Sequence, residues 1–156
     1  MFAQKLIGVD IGTTSVKAAV IDTNGAIHAR FSESYPSSRA ETNLVEQNPE
    51  DWMNLLNKAL NSFIDHKVVG IGICSQVNTH VFLGADDRPL FPAITWQDTR
   101  AKNEAQDLNS QVSDEKKIKW WGSPMPIDAS HALSRMSWMK KMHGKIWQKT
   151  RKVMLP

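Results

Sequence analysis

The sequence predicts an α/β domain built on a mixed sheet flanked by helices, and three observations carry that expectation. Two β-branched runs, 6–11 and 16–22, flank a short polar turn, and a third run, 26–35, follows Asn24-Gly25. A punctuated amphipathic stretch begins at Asn48. A continuous apolar run, Val68 to Cys74, comes next. An antiparallel meander, a helix and a strand apolar on both faces, in that order, point to a sheet with antiparallel and parallel pairs together.

Each element has a local reason. Val9, Ile11, Val16, Val20 and Ile21 favour extended backbone. Asn24-Gly25 is a strong hairpin turn between the second and third strands, giving a three-stranded antiparallel meander. In the helix, Asn48 is the N-cap, Pro49 takes the first position, and Glu50 and Asp51 occupy the first turn. Trp52, Leu55, Leu56, Ala59, Leu60, Phe63 and Ile64 then recur at helical spacing, giving one apolar face. Val68-Val69-Gly70-Ile71-Gly72-Ile73-Cys74 reads as a buried strand of the kind a parallel sheet covered on both faces uses. Its Gly70-x-Gly72 is not a dinucleotide fingerprint, because the third glycine and the following helix are missing. Val81-Phe82-Leu83 resumes as a strand, Asp86-Asp87-Arg88-Pro89 turns, and Ala93-Ile94-Thr95-Trp96 runs extended into Gln97-Asp98-Thr99-Arg100. Ala129 to Gly144 reads as a last helix, with Asp128 as N-cap, Gly144 as stop, and Leu133, Met136, Met139 and Met142 along one side.

Composition excludes several function classes. A chain of 156 residues is one domain by length, and 41% hydrophobic with 22% charged residues is ordinary for a soluble globular protein. No stretch approaches the apolar run of a membrane span. Met1-Phe2-Ala3-Gln4-Lys5 runs into the first strand without a secretory leader, and the single cysteine allows no internal disulfide framework, so cytoplasm is the expected compartment. Cys74, in an apolar run, reads as an inert core thiol. Charge is uneven: residues 1–115 hold nine Lys and Arg against fifteen Asp and Glu, and residues 116–156 hold ten against one, which leaves the net +3 concentrated in a basic tail. Lys116-Lys117-Ile118-Lys119-Trp120-Trp121 mixes cations with stackable rings, one way to hold nucleic acid. No recognised nucleic-acid motif accompanies it, so a solvated, partly amphipathic face is the preferred reading.

Two segments carry chemistry. In Asp10-Ile11-Gly12-Thr13-Thr14-Ser15, Gly12 lets a ligand approach the backbone, and the amides around Thr13 and Thr14 suit anionic oxygens. A carboxylate such as Asp10 is tolerable beside phosphates when a hydrated Mg²⁺ sits between them. A Walker loop is excluded, because no Gly-x-x-x-x-Gly-Lys-Ser/Thr opens a helix. An ordinary hairpin with a Gly-Thr-Thr turn remains the alternative. In the second segment, Ser75-Gln76-Val77-Asn78-Thr79-His80 and then Trp96-Gln97-Asp98 place polar groups and an aromatic face at strand ends, which suits the hydroxyl and C–H groups of a small polyol or sugar. Against this, Gln76 and Asn78 could satisfy loop backbone, Trp96 could be core, and Asp98 could N-cap a helix from about Thr99 to Asn109. His80 is equally a structural histidine or a ligand, and no partner spacing suggests a metal cluster.

Gly8-Val9-Asp10-Ile11-Gly12-Thr13-Thr14-Ser15-x-Lys17, then Gly72-Ile73-Cys74-Ser75-Gln76, then Pro92-Ala93-Ile94-Thr95-Trp96-Gln97-Asp98-Thr99-Arg100, resemble the N-terminal part of the FGGY carbohydrate kinases. The order and distances of the motifs make the likeness specific, and it runs over essentially the whole chain. It implies the actin-like ATPase architecture on a ribonuclease-H-like core, with ATP and sugar in a cleft between two such domains. It implies ATP and Mg²⁺ as cofactors, with Asp10, Gly12, Thr13, Thr14, Ser15 and Lys17 in the phosphate site and Asp10 near Mg²⁺, through water. It implies Gln76, Val77, Asn78, Trp96, Gln97 and Asp98 as sugar contacts. Xylulose kinases tend to carry Met-His-Gly and glycerol kinases Arg-Glu where this chain has Val77-Asn78, so the resemblance supports neither xylulose nor glycerol as the substrate and does not name the sugar.

The same resemblance implies that residues 1–156 are the N-terminal portion of the first kinase domain. The general-base aspartate is then expected downstream and the adenosine-binding domain outside this chain. The complete enzyme is expected to phosphorylate a sugar or polyol hydroxyl, with this chain inactive alone and prone to self-association through uncovered apolar surface. The alternatives are a non-catalytic sugar-, nucleotide- or partner-binding module and, less favoured, nucleic-acid binding by the tail.

Overall fold

In the computed structural model, which describes residues 3–156, the strands and helices follow in the order β1 (Lys5–Ile11), β2 (Ser15–Asp22), β3 (Ile27–Ser34), β4 (Glu46–Gln47), α1 (Pro49–Ser62), β5 (Val68–Ser75), β6 (Val81–Leu83), β7 (Ala93–Ile94), α2 (Lys102–Gln111), α3 (Asp114–Trp121), α4 (Ala132–Met142), α5 (Gly144–Lys149) and β8 (Lys152–Met154). The leaderless start expected at Met1-Phe2 lies outside the described residues. The chain divides into two units, 1–37 with 48–77 and Pro156, and 38–47 with 78–155.

The first unit is a four-stranded mixed sheet in the order β3-β2-β1-β5. β1, β2 and β3 form the expected antiparallel meander, and β5 lies parallel to β1 with Gly8 opposite Gly72 and Asp10 opposite Cys74. The β2–β3 turn closes as its residues demand. Gly25 takes φ 85°, which costs a residue without Cβ nothing, and Asp22 accepts the Asn24 and Ala26 amides on one carboxylate oxygen. α1 begins where expected, with the Asn48 side chain accepting the Glu50 amide at 3.1 Å. Its buried Pro49, Trp52, Leu55 and Ala59, with Phe63 beyond its end, share the core with Ile7, Val9, Ile11, Val16, Ala18 and Val20.

Several expectations need correction. α1 stops at Ser62, Ile64 falls in a 3₁₀ turn, and its side chain is 77% exposed rather than part of the apolar face. β5 is the edge strand of its sheet, and Val69, Ile71, Ile73 and Cys74 are exposed, so neither the two-sided burial nor the core thiol holds. The apolar run specified a strand, but its place at the sheet edge is a tertiary property that the run does not encode.

The second unit packs around Phe82, Ile94 and Met139, with Phe91, Met136, Trp138, Ile146, Trp147 and Val153 against them. β6 pairs with β8 and β4 with β7, both antiparallel. The helix expected from Thr99 starts at Lys102 behind Ala101, because Asp98 is engaged elsewhere. α4 starts at Ala132 with His131, not Asp128, as its cap: His131 Nδ1 accepts the Leu133 amide, while Asp128 accepts the Ser130 amide and hydroxyl at 2.8 Å each. Gly144 opens α5 instead of ending a helix, and Met142 is exposed while Met139 is fully buried. Lys116 to Trp121 lies on α3, where Ser113 caps the first turn and Gly122 closes the last in the left-handed region.

Candidate functional site

In the first unit the chemistry gathers at the β1–β2 turn. β1 ends at Ile11 and β2 resumes at Ser15, so Gly12, Thr13 and Thr14 make the reversal. The Gly12 amide donates to Ser15 O at 3.1 Å, the Tyr35 amide donates to Thr14 O at 3.2 Å, and the Tyr35 hydroxyl donates to Gly12 O. The turn is therefore braced from outside by one residue. Burial, and secondarily the negative charge of Asp10, pushes the Tyr35 phenol up to about 12, so it is a neutral donor at physiological pH. A Cβ at Gly12 would lie 3.4 Å from Asp10 Oδ2 and 3.4 Å from Ser15 O, in van der Waals contact with both. Asp10 is half-buried, Thr14 is exposed, Ser15 is buried, and Lys17 stands exposed opposite Asp10 in the β1–β2 register. Cys74 Sγ lies 3.7 Å from Asp10 Oδ1. Gln76 joins this turn through its amide, which donates to Ile11 O at 2.9 Å, and Val77 beside it is exposed.

The donor set fits Mg²⁺ of the phosphate-shared kind. Among the described residues no three His, Cys, Asp or Glu side chains cluster to form a protein-only cage. One partly exposed carboxylate beside a turn with a bare glycine is what a hydrated Mg²⁺ held jointly by phosphates needs.

In the second unit the candidate residues sit on a braced loop system. Asp98 is 1% exposed and both its oxygens are engaged: Oδ2 accepts the Val45 amide at 2.7 Å and Arg100 Nη2 at 2.7 Å, and Oδ1 accepts the Arg100 amide at 3.0 Å. Arg100 reaches on to Glu46 at 2.8 Å and stacks over the Trp138 ring at 4.9 Å. Asp98 thus faces its own scaffold. Trp96 is 44% exposed and its amide donates to Thr79 Oγ1 at 3.2 Å, while Gln97 Oε1 accepts Arg39 Nη2 at 2.5 Å. Asn78 adopts φ 51° and donates through its side-chain amide to Ser130 Oγ at 3.2 Å.

Arg135, on α4 and fully buried, ties these pieces together. Its guanidinium donates to the carbonyls of Asn78 at 2.8 Å, Ala129 at 3.3 Å and Asp98 at 3.4 Å, and to those of Ile94 and Thr95. It also lies 3.2 Å from His80 Nδ1. Burial draws Arg135 down to about 10, and burial followed by the Arg135 charge draws His80 down to about 4, so His80 is a neutral, structural histidine at neutral pH. Tyr35, Arg39, Arg100 and Arg135 are the residues that reading the sequence missed. Tyr35, Arg39 and Arg135 reach backbone atoms or side chains mostly far along the chain, which no local pattern marks, and Arg100 joins the neighbouring Asp98 to the distant Glu46.

Residues 5–156 match the family model described as the FGGY family of carbohydrate kinases, N-terminal domain. A xylulose kinase of Klebsiella pneumoniae is 30% identical over 154 residues, covering 96% of this chain and 31% of that protein. A gluconokinase of Bacillus subtilis is 27% identical, covering 94% of this chain and 29% of that protein. The crystal structure of ligand-bound xylulose kinase from Lactobacillus acidophilus superposes with a TM-score of 0.85 at 27% identity, covering 96% of this chain and 31% of that one. The chain therefore spans about a third of the length of the curated relatives it matches. No helix among the described residues is long and apolar enough to cross a membrane. With a mixed sheet that opens on an antiparallel meander, an actin-like ATPase fold shared with solved sugar kinases, and a family match from Lys5 to Pro156, the chain belongs to the FGGY family of carbohydrate kinases, in the part that forms their N-terminal domain.

Proposed function

We propose that this chain is the N-terminal portion of the first domain of a kinase that transfers phosphate from ATP to a hydroxyl of a small sugar or polyol in the cytoplasm. The observation that carries the proposal is the braced turn Gly12-Thr13-Thr14 beside Asp10, open for want of a Cβ at Gly12. In this reading Asp10 holds Mg²⁺ through water, Thr13, Thr14 and Ser15 present amides and hydroxyls to the phosphates, and Lys17 adds positive charge on the same face. Bound Mg²⁺ supplies neutralisation of charge on the transferring phosphoryl group. Gln76, Val77, Asn78, Trp96 and Gln97 contact the sugar, and Asp98 contributes by fixing the segment that carries Trp96 and Gln97. The proton of the attacking hydroxyl is assigned to an aspartate in the remainder of the kinase, which is the chain's main partner. Relatives that are xylulose kinases and gluconokinases support a small open-chain or keto-sugar class of substrate without choosing within it.

Titration calorimetry with inorganic triphosphate tests the turn. Binding is expected with Mg²⁺, absent with EDTA, and weakened at least about tenfold by Asp10→Asn, the scale of one charge-assisted contact. Equal binding with EDTA, or no effect of D10N, contradicts the assignment.

A further inference from the structure

We propose that Arg135 is the positioning residue of the polyol-contacting segments, setting the register of Asn78 and of Trp96-Gln97 from beneath. The assignment rests on the polyol reading of those segments. A wholly buried guanidinium is a costly group, and among the described residues no carboxylate accepts its hydrogen bonds. Its donors go instead to the carbonyls of Asn78, Ile94, Thr95, Asp98 and Ala129. Those carbonyls belong to separate stretches of the chain, two of which flank the candidate contacts: Asn78 itself at φ 51°, and the turn in which the Asp98 amide closes on Thr95 O at 3.0 Å. Trp96 and Gln97 lie inside that turn, between carbonyls that Arg135 holds at both ends. A planar fork of five N–H groups suits this task, because its directions are fixed while Asn78, Thr95, Asp98 and Ala129 lie outside the strands and helices, with only Ile94 on a strand, β7. The side chain itself is sealed from solvent, so its action on a ligand is through Asn78 and Trp96-Gln97.

The test compares the chain with Arg135→Met, Arg135→Lys and Met139→Ala. M139A is the control, since Met139 is fully buried on the same helix and packs with Phe82 and Ile94, but its thioether has no N–H or O–H to donate to the carbonyls that Arg135 holds. Two readouts are taken: affinity for D-xylulose, D-gluconate and glycerol by titration calorimetry, and hydrogen exchange at the Trp96 and Asp98 amides by NMR. R135M is expected to weaken sugar affinity about tenfold or more and to speed exchange at Trp96 and Asp98 by a similar factor. M139A is expected to lower the melting temperature while leaving both readouts near wild type. R135K, with three donors at one point, is expected to recover part of each loss. Wild-type affinity and exchange in R135M, or equal effects in M139A, overturn the proposal. If R135M does not fold, R135K decides it by the same exchange measurement against M139A. If the wild-type chain binds none of the sugars, the polyol reading of this chain fails, and exchange at Trp96 and Asp98 still decides whether Arg135 sets their register.

Discussion

Asp10, Tyr35 and His80 show how single side chains set the chemistry of this chain. Asp10 is local: a carboxylate two residues before Gly-Thr-Thr at a strand end marks the segment in the sequence, and the structure puts Asp10 half-buried at the end of β1, beside that turn. Tyr35 was not legible. Its hydroxyl reaches Gly12 O across 23 residues of sequence. Removing that donor with Tyr35→Phe leaves a carbonyl of the turn unpaired and is expected to cost about 1 kcal/mol in urea unfolding. The pH dependence has a definite sign. Tyr35 is raised from 10.0 to about 12, so its contribution is complete below pH 10 and is lost as pH rises toward 12, and Y35F should flatten that arm of the profile. His80 acts at the other end. Its drop from 6.5 to about 4 means that its contribution is complete above pH 6.5 and is lost as pH falls through 4, with burial the leading cause. Unfolding followed from pH 7 to pH 4 should show this loss, and His80→Asn should reduce it.

Among the elements, those with self-contained signals came out as expected. The meander follows from β-branched runs around Asn24-Gly25, and α1 follows from Asn48, Pro49 and the spacing of Trp52, Leu55 and Ala59. Asn48→Ala, which removes the acceptor for the Glu50 amide, is expected to cost about 1 kcal/mol by the same denaturation measurement, with Asn48→Asp costing little. The elements that departed did so where the expected cap is held by another partner, near or far along the chain. Asp98 was a plausible helix cap, but Val45 and Arg100 take both of its oxygens, so α2 begins later and without a side-chain cap. Asp128 lost its cap role to His131 because its carboxylate closes a turn on Ser130. Arg135 read as one more cation of a basic tail, and only the carbonyls of Asn78, Ile94, Thr95 and Asp98 reveal it as the centre of a loop system.

At the scale of the whole molecule, the chain carries the braced Gly12-Thr13-Thr14 turn and a braced set of candidate sugar contacts while matching about a third of its relatives' length. Leu6, Ile21 and Ile27, with Val69, Ile71 and Ile73 on edge strand β5, are exposed in the first unit. Apolar surface joined to an unpaired strand edge favours association. Sedimentation of the isolated chain should therefore show concentration-dependent self-association, reduced by Ile71→Lys, and a monodisperse monomer would count against uncovered apolar surface. The proposed activity is phosphoryl transfer to a sugar hydroxyl through the Asp10 turn. The most direct measurement is ³¹P NMR of the complete kinase that carries this chain at its N-terminus, incubated with ATP, Mg²⁺ and a panel of pentuloses, polyols and sugar acids. A sugar-phosphate signal is expected with at least one member of the panel, slowed at least about a hundredfold by D10N, in line with the loss of one electrostatic contact to the transition state. ATP consumption that ignores both the added sugar and the D10N substitution, with no sugar-phosphate signal, would contradict transfer through this turn.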